Sequence, residues 1–542
     1  MDLPAARLAC PLPEEPEPTM RHLIQHLLRT PQTEPLPGEA QVRNHAGGFV
    51  YAADLWTRLE RFLILGSDGG TYYVSERELT IDSAQVVLEA LAENPERAVA
   101  LIASISQAGR APSNRAALFA LALAFCEPRA VPAARGSFTA VVRTGTHLFE
   151  FLTAVRGLRG FGRALRGAVA DWYVTKPVEQ LGYQLVKYRQ RSGWTHRDAL
   201  RLAHPKNEER NALFAWAAGK AEAPSEAEAV LPPIVRGFAE AQTAVTERIP
   251  ALVREYGLTH EMLPPHALKD PLVLRALAEA MPLGALVRFL GRLSAAGVLK
   301  RGNQLERDVV ARLKSARAIH RARLHPMAIL VAQRTYASGH GDRGSLTWAV
   351  SPAIVDAMNV AFRKAFSDVE PTGQRILAAV DVSGSMNSPC AGSRSLSCKE
   401  GALAMAMITA STERSTLLKA FSHQFMDLPI DPTESLQTAM QRLAGIPFGA
   451  TDCALPMQWA EAHGVPIDAF VILTDNETWY GKTHPMEALR SYRRATNLPA
   501  RLIVVAMTGT RFSIADPTDP LTLDVVGFDA NTPSTISHFL RP

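Results

Sequence analysis

The segment Asp381-Val-Ser383-Gly-Ser385 follows directly on the apolar run Ile376 to Val380. A carboxylate and two hydroxyls at the end of such a run constrain the fold, because open parallel sheets collect their ligand-binding loops at the carboxyl ends of strands. Two further oxygen-bearing loops recur in the C-terminal third, Gly449-Ala-Thr451-Asp452 and Leu473-Thr474-Asp475. Around them, Arg375 to Val380, Thr416 to Phe421, Ala469 to Thr474 and Arg501 to Met507 read as buried strands. Helical patterns lie between and after these strands at Lys399 to Arg414, Leu436 to Leu443, Ala454 to His463 and Pro485 to Thr496. Alternation of strand and helix predicts a doubly wound α/β sheet.

The three loops together describe a site for a divalent cation. Magnesium and similar hard ions prefer oxygen donors in octahedral geometry and keep several waters. The hydroxyls of Ser383, Ser385 and Thr451 can bind directly, while Asp381 and Asp475 hold waters. With few direct carboxylates the ion stays electrophilic, and an open position suits an acidic group from a partner. The competing reading is that Asp-x-Ser-x-Ser only caps the next helix. These residues match the metal-ion-dependent adhesion site of von Willebrand factor A domains, a Rossmann-like α/β family, and the resemblance covers about residues 371 to 542.

At 542 residues, 47% hydrophobic and 20% charged, the chain is long enough for two to four domains with substantial cores. No apolar run is long enough to predict a membrane span. The start, Met1 to Pro18, has Pro and Glu where a signal peptide needs basic and then apolar residues, so a cytoplasmic protein is expected. Five widely spread cysteines, Cys10, Cys126, Cys390, Cys398 and Cys453, disfavour a disulfide framework. Cys453 lies beside the metal loop, but no partnering histidine is evident for a catalytic thiol.

Charge is uneven along the chain. Residues 1–370 hold 45 Lys and Arg against 37 Asp and Glu, whereas residues 371–542 hold 13 against 16. Two stretches concentrate the excess: residues 156–201 with ten cations and three acids, and residues 288–323 with ten and two. Such clusters are the footprint of a polyanion. Arg156, Arg159, Arg163 and Arg166 have the spacing of one basic helical stripe, although Gly157, Gly160 and Gly162 weaken the helix early in that stretch. Further on, Lys187-Tyr188-Arg189-Gln190-Arg191 leads into Trp194-Thr195-His196 and Arg201-Leu-Ala-His204. Cations interleaved with aromatic and imidazole rings suit unpaired bases. A solvated helix face is the other explanation of such runs.

The N-terminal part opens with a Pro- and Glu-rich segment, Pro11 to Pro37, read as a mobile extension with one short apolar pattern at Leu23 to Leu28. Strand-like runs follow at Gly48 to Ala52, Phe62 to Leu65 and Thr71 to Val74, the last two separated by the hairpin-like Gly66-Ser67-Asp68-Gly69-Gly70. From Ser83 onward helical patterns dominate, among them Ala84 to Ala92, Pro95 to Ser106, Ala116 to Phe125, Leu148 to Val155, Gln180 to Tyr188, Val273 to Glu279 and Leu283 to Ser294. Helix pairs that cannot bury both faces alone stack into a solenoid. The period is irregular, and a compact helical domain remains the alternative.

Ala46-Gly-Gly-Phe-Val, the run Arg61 to Tyr73, Thr146-His-Leu-Phe149, Gly162-Arg-Ala-Leu-Arg166 with Ala170-Asp-Trp-Tyr173, and Gly339-His-Gly341 carry a resemblance to the Ro ribonucleoprotein autoantigen family, in the manner of a bacterial orthologue. The resemblance implies a Pro/Glu-rich extension over residues 1–45 and a TROVE module over 46–370. A von Willebrand factor A domain would follow over 371–542. The implied fold is mainly α, a HEAT-like helical-repeat ring (α-solenoid) followed by the doubly wound α/β domain. Its basic outer surface is expected to bind small non-coding Y RNA, and its hole to admit single-stranded 3′ ends of misfolded or immature RNA. The partner implied is a 3′-to-5′ exoribonuclease such as polynucleotide phosphorylase, and the ring is expected to be monomeric. Lys187 and His204 correspond to family positions tied to Y RNA, and Arg163, Arg166, Arg189, Arg191, His196 and Arg201 complete the expected RNA-binding set. Gly167 stands where a lysine often extends the Gly-Arg-Ala-Leu-Arg run.

A non-catalytic binder is the expectation. Two-metal phosphoryl chemistry needs clustered carboxylates, and the motif supplies hydroxyls and water-holding acids instead. The alternative is a metal-dependent adhesion module for an acidic protein ligand, with the helices as scaffold and no physiological RNA.

Overall fold

A computed structural model describes residues 29–541, apart from 68–70, 221–230, 342–344, 366–369, 391–392, 429, 433, 447–448 and 530. The apolar pattern Leu23 to Leu28 and the centre of the turn Gly66 to Gly70 lie outside the described residues.

The C-terminal strands form where the apolar runs place them. A six-stranded sheet runs, edge to edge, Thr522–Val526, Arg501–Ala506, Ala469–Thr474, Arg375–Asp381, Ser415–Phe421 and Phe425–Asp427; all neighbours are parallel except the last pair. The central strands are apolar throughout because both faces are covered. Ile376, Ala378, Val380, Val471, Leu473 and Val505 face one side and join the core of the helical part. Leu377, Ala379, Phe470, Ile472 and Val504 face the other, against helices Leu455–Ala462 and Pro485–Thr496.

The N-terminal two-thirds is a two-layer helical array in which successive helices pack on the next but one: Pro95–Ala108 on Val131–Val141, Arg115–Ala124 on Gly145–Leu158, and Val131–Val141 on Arg163–Thr175. The array then continues through Val178–Lys187, Pro233–Thr243, Ile249–Tyr256 and Pro271–Ala280. Each unit buries an apolar face only against its neighbours, as in a solenoid. The array closes on itself. Arg323 donates to the Gln107 carbonyl at 3.1 Å and His325 Nε2 lies 2.9 Å from the Arg110 carbonyl, while Arg110 pairs with Glu60 and with Asp529 of the α/β domain. The expected mainly α ring followed by the doubly wound domain is therefore the fold.

Three local expectations are overturned. Phe62 to Leu65 is the end of helix Leu55–Leu65, not a strand, and Thr71 to Val74 is not a strand either. A short continuous apolar run has the same pattern in a buried strand and a buried helix; here Asp54 caps the helix by accepting from Trp56 N–H and Thr57 N–H at 2.8 and 3.1 Å. The described part of the Pro-rich segment is not a loose arm. Gln32 is fully buried, and its amide donates to Asp452 Oδ1 at 2.7 Å and to the Thr483 carbonyl at 2.8 Å. Gln41–Arg43 and Phe49–Ala52 then pair antiparallel, and the second of them pairs with Phe512–Ser513 of the α/β domain.

Candidate nucleic-acid interface and metal site

The loop after strand Arg375–Asp381, the loop before helix Leu455–Ala462 and the loop after strand Ala469–Thr474 meet at the carboxyl edge of the sheet. Asp381, Ser383, Ser385, Thr451 and Asp475 are all buried there. Asp381 Oδ1 accepts from Ser383 N–H at 2.8 Å and Oδ2 from the Thr474 hydroxyl at 2.7 Å. The Ser383 and Ser385 hydroxyls are 3.2 Å apart, and Gly384 N–H donates to the Gly449 carbonyl at 3.3 Å, joining the first loop to the second. Trp479 and Tyr480 N–H groups both donate to the Thr451 carbonyl at 3.1 Å, joining the second to the third.

Burial pushes the Asp381 carboxyl above its ordinary range. Burial, together with the fields of Asp381 and Glu477, pushes Asp475 up to about 8. Among the described residues no lysine, arginine or histidine pairs with either. Two buried carboxylates, one raising the pKa of the other, beside three hydroxyls are a donor set that fits a hard cation.

Sequence reasoning missed what holds the second and third loops. Glu477 is buried two residues past Asp475; its carboxylate accepts from Ala46 N–H at 3.0 Å and meets His45 Nδ1 at 2.7 Å. Asn44 donates to the Asn476 and Thr478 carbonyls at 3.3 and 2.8 Å. Gly48 passes so close that a Cβ there would lie 1.9 Å from the Thr478 carbonyl oxygen, so only glycine permits this approach. Burial, then the fields of Asp475, Glu477 and Asp381, push the Tyr73 hydroxyl up to about 12, which puts this ring at the same edge. The run Ala46-Gly-Gly-Phe-Val was visible in the sequence, but nothing local told which loop it would brace.

The proposed RNA-binding residues fall on neighbouring elements of the helical array. Arg163 and Arg166 are exposed on helix Arg163–Thr175, which packs against helix His196–Ala203 carrying Arg201. His204 follows in the left-handed region at φ 47°, ψ 53°, its N–H bonded to the Leu200 carbonyl at 2.9 Å, and is exposed. Lys187 ends helix Val178–Lys187, with Nζ 3.0 Å from the Tyr183 hydroxyl. Burial works against its charge, but the Tyr183 bond and the fields of Tyr188, Tyr183 and Glu261 outweigh it, so the ammonium is held above its ordinary pKa. Arg189 and Arg191 are exposed beyond it, Arg191 on the short hairpin that carries Trp194.

Two expectations about this face need correction. His196 is in the core: Tyr173 and His196 Nδ1 are 2.8 Å apart, the ring stacks near Trp172 and tilts against Phe149, and burial pushes its pKa down to about 3. Of the rings that read as a stacking surface, His196 is internal packing, whereas Tyr188 and Trp194 are half-buried and His204 is exposed. The arginine stripe is also not one helix. Arg156 belongs to helix Gly145–Leu158 and Arg163 begins the next, with Arg159 at the break, where Gly160 and Gly162 interrupt the chain. At Gly167 the guanidinium of Arg135 fills the space over the helix, its Cζ 3.2 Å from where a Cβ would stand, and Asp171 anchors it at 3.0 Å.

Residues 42–249 and 255–374 match the TROVE domain family, and residues 375–540 match the Ro60 vWA domain family. Over 532 residues the chain is 40% identical to the RNA-binding protein RO60 of Deinococcus radiodurans, covering 96% of this chain and 99% of that protein. It is 34% identical over 595 residues to the RNA-binding protein RO60 of Caenorhabditis elegans, covering 95% and 92% respectively. The crystal structure of the Deinococcus radiodurans Ro (RSR) protein matches it with a TM-score of 0.68 at 39% identity, covering 90% of this chain and 99% of that one.

Proposed function

Because the chain belongs to the Ro60 family, we propose that it binds RNA, with Y RNA on its basic outer surface and single-stranded 3′ ends of misfolded or precursor RNA entering its ring. In this reading it is a non-catalytic cytoplasmic scaffold for RNA quality control and processing. It presents RNA to a 3′-to-5′ exoribonuclease such as polynucleotide phosphorylase. The observation that carries the proposal is the set of exposed cations on neighbouring elements, Arg163, Arg166 and Arg201 on two packed helices and Arg189 and Arg191 at the following turn and hairpin, with the half-buried Lys187 and the exposed His204 among them. Lysine and arginine on phosphates release counterions and supply sequence-independent affinity, while ring geometry selects a free single-stranded end. Among the described residues no helix is long and apolar enough to cross a membrane.

A salt-dependent titration with structured RNA, with and without a single-stranded 3′ tail, tests this. Lys187→Ala combined with His204→Ala is expected to weaken binding roughly tenfold and to lower the salt slope by about one. Asp381→Ala should leave RNA affinity unchanged. Folded wild type that binds neither RNA at low salt would end the RNA reading and put a metal-dependent adhesion module for acidic proteins in its place.

For the metal, the reading is that Ser383, Ser385 and Thr451 hold a magnesium-like ion directly and Asp381 and Asp475 through water, leaving a position for an acidic group of a protein ligand. A cation there must displace the proton that burial and neighbouring acids keep on Asp475. Calorimetric titration of the full chain with Mg²⁺ at pH 7, in buffers of different ionisation enthalpy, is expected to show release of about one proton, with affinity rising as pH approaches 8. Absence of uptake by the wild-type chain, or uptake unchanged by Asp381→Ala, would remove the metal from this site.

A further inference from the structure

The sequence shows a second basic stretch, residues 288–323, to which neither reading above assigns a role. The fold brings its first members to the other side of Lys187. Helix Val178–Lys187 packs on the short turn His260–Met262. The half-buried His260 imidazole lies against Phe289 of helix Leu283–Ala295, ring centroids 4.9 Å apart and planes tilted by 41°. Arg292 sits over the same phenyl ring at 5.3 Å and is fixed by its bond to the Leu268 carbonyl at 3.1 Å.

Lys187, Arg288 and Arg292 are close enough for their fields to act on the imidazole, and the one acid in this group is Glu261, 3.1 Å from His260 Nδ1. Burial first, then these three cations against Glu261, push the imidazole below its ordinary pKa, so the ring is neutral at physiological pH. Among the described residues no carboxylate comes within 4.0 Å of the Lys187, Arg288 or Arg292 charges. Arg288 is exposed, and its guanidinium donates to the Gly284 carbonyl of its own helix at 3.1 Å.

Three unpaired cations around a neutral ring with a phenyl backing make a site for an anion attached to a flat π-system. We propose that the surface between Lys187 and helix Leu283–Ala295 is a nucleotide subsite for single-stranded RNA, with phosphates held by Lys187, Arg288 and Arg292 and a base stacked on His260. The inference rests on the RNA reading above and extends it from one face of the array to an element about a hundred residues away in sequence. Single strands are favoured because a base must be free of its partner to lie on the imidazole, whereas a duplex would engage only the cations.

The test is binding of a labelled oligouridylate to the full chain as a function of salt. Arg288→Glu is expected to weaken binding tenfold or more and to reduce the salt slope by at least about one. His260→Ala should cost roughly tenfold, while His260→Phe, which keeps a stacking ring, should stay near wild type. Thermal unfolding of Arg288→Glu should match wild type, since that side chain is exposed. If Arg288→Glu and His260→Ala bind like wild type while the Lys187→Ala, His204→Ala pair is weakened, the RNA path does not cross this surface and the RNA reading stands. Wild type that ignores oligouridylate yet binds tailed structured RNA would overturn the subsite alone; wild type that binds neither overturns both.

Discussion

Arg61→Met is expected to destabilise the folded chain by about 3–5 kcal/mol, measured as a fall in the denaturant midpoint at unchanged slope. Arg61 is fully buried where helix Leu55–Leu65 meets the α/β domain. Its guanidinium donates to the Thr510 and Phe512 carbonyls at 2.6 and 2.8 Å and pairs with Asp524 on the edge strand of the sheet. Methionine fills the volume but leaves two buried carbonyls and a carboxylate without their donor, and unsatisfied buried groups cost more than a made bond contributes. Arg61→Lys should be nearly as damaging, because one ammonium cannot span both carbonyls and the carboxylate as a planar fork does. A loss below about 1 kcal/mol in both variants would mean that the edge of the sheet does not depend on this residue.

Lowering the pH from 7 to 5 in saturating Mg²⁺ is expected to remove about 4–6 kcal/mol of stability through two buried histidines and one half-buried one. Burial pushes His147 and His325 down to about 4 and His196 to about 3. Each ring must stay neutral in the fold but takes a proton in the unfolded chain near 6.5. Below that value the unfolded state binds more protons, so stability is full above pH 6.5 and falls as pH drops toward about 4, by about 2 kcal/mol per histidine at pH 5. His325 lies at the ring closure, where Nδ1 accepts from Met327 N–H at 3.2 Å and the other ring nitrogen meets the Arg110 carbonyl. Acid should therefore loosen the junction between the two ends of the array. Burial also raises Asp452, to about 6, which opposes the trend by stabilising the fold as pH falls, and Mg²⁺, bound as proposed above, would keep Asp475 ionised throughout. Urea midpoints at the two pH values check the prediction, with His196→Phe as the control that should flatten the profile by about one histidine's share. A profile flat between pH 7 and 5 would show that these rings are not kept neutral by the fold.

Much of the molecule was legible in local sequence. Apolar runs placed the central strands, because a strand buried on both faces must be apolar along its length, and Asp-x-Ser-x-Ser and the two Thr-Asp pairs marked the three loops that meet at the carboxyl edge of the sheet. Longer helical patterns such as Pro95 to Ser106 and Leu283 to Ser294 were equally readable. What local sequence could not decide was anything that depends on a partner far along the chain. Phe62 to Leu65 has no period that separates strand from helix, and only its packing beneath the sheet edge settled the matter. His196 has the same neighbours in sequence whether it faces solvent or the Trp172 ring, and burial alone told the two apart.

Gln32, Asn44 and His45 became braces of the candidate metal loops through bonds spanning more than 400 residues, and Lys187 and Arg288 came within electrostatic reach of the same His260 ring only through the packing of the array. The sequence by itself determined the elements and the chemistry of the loops, since both follow from short-range periodicity and residue type. The tertiary structure alone decided which charges are buried, which are paired and which stand free, because those properties belong to surfaces that exist only after distant segments have packed.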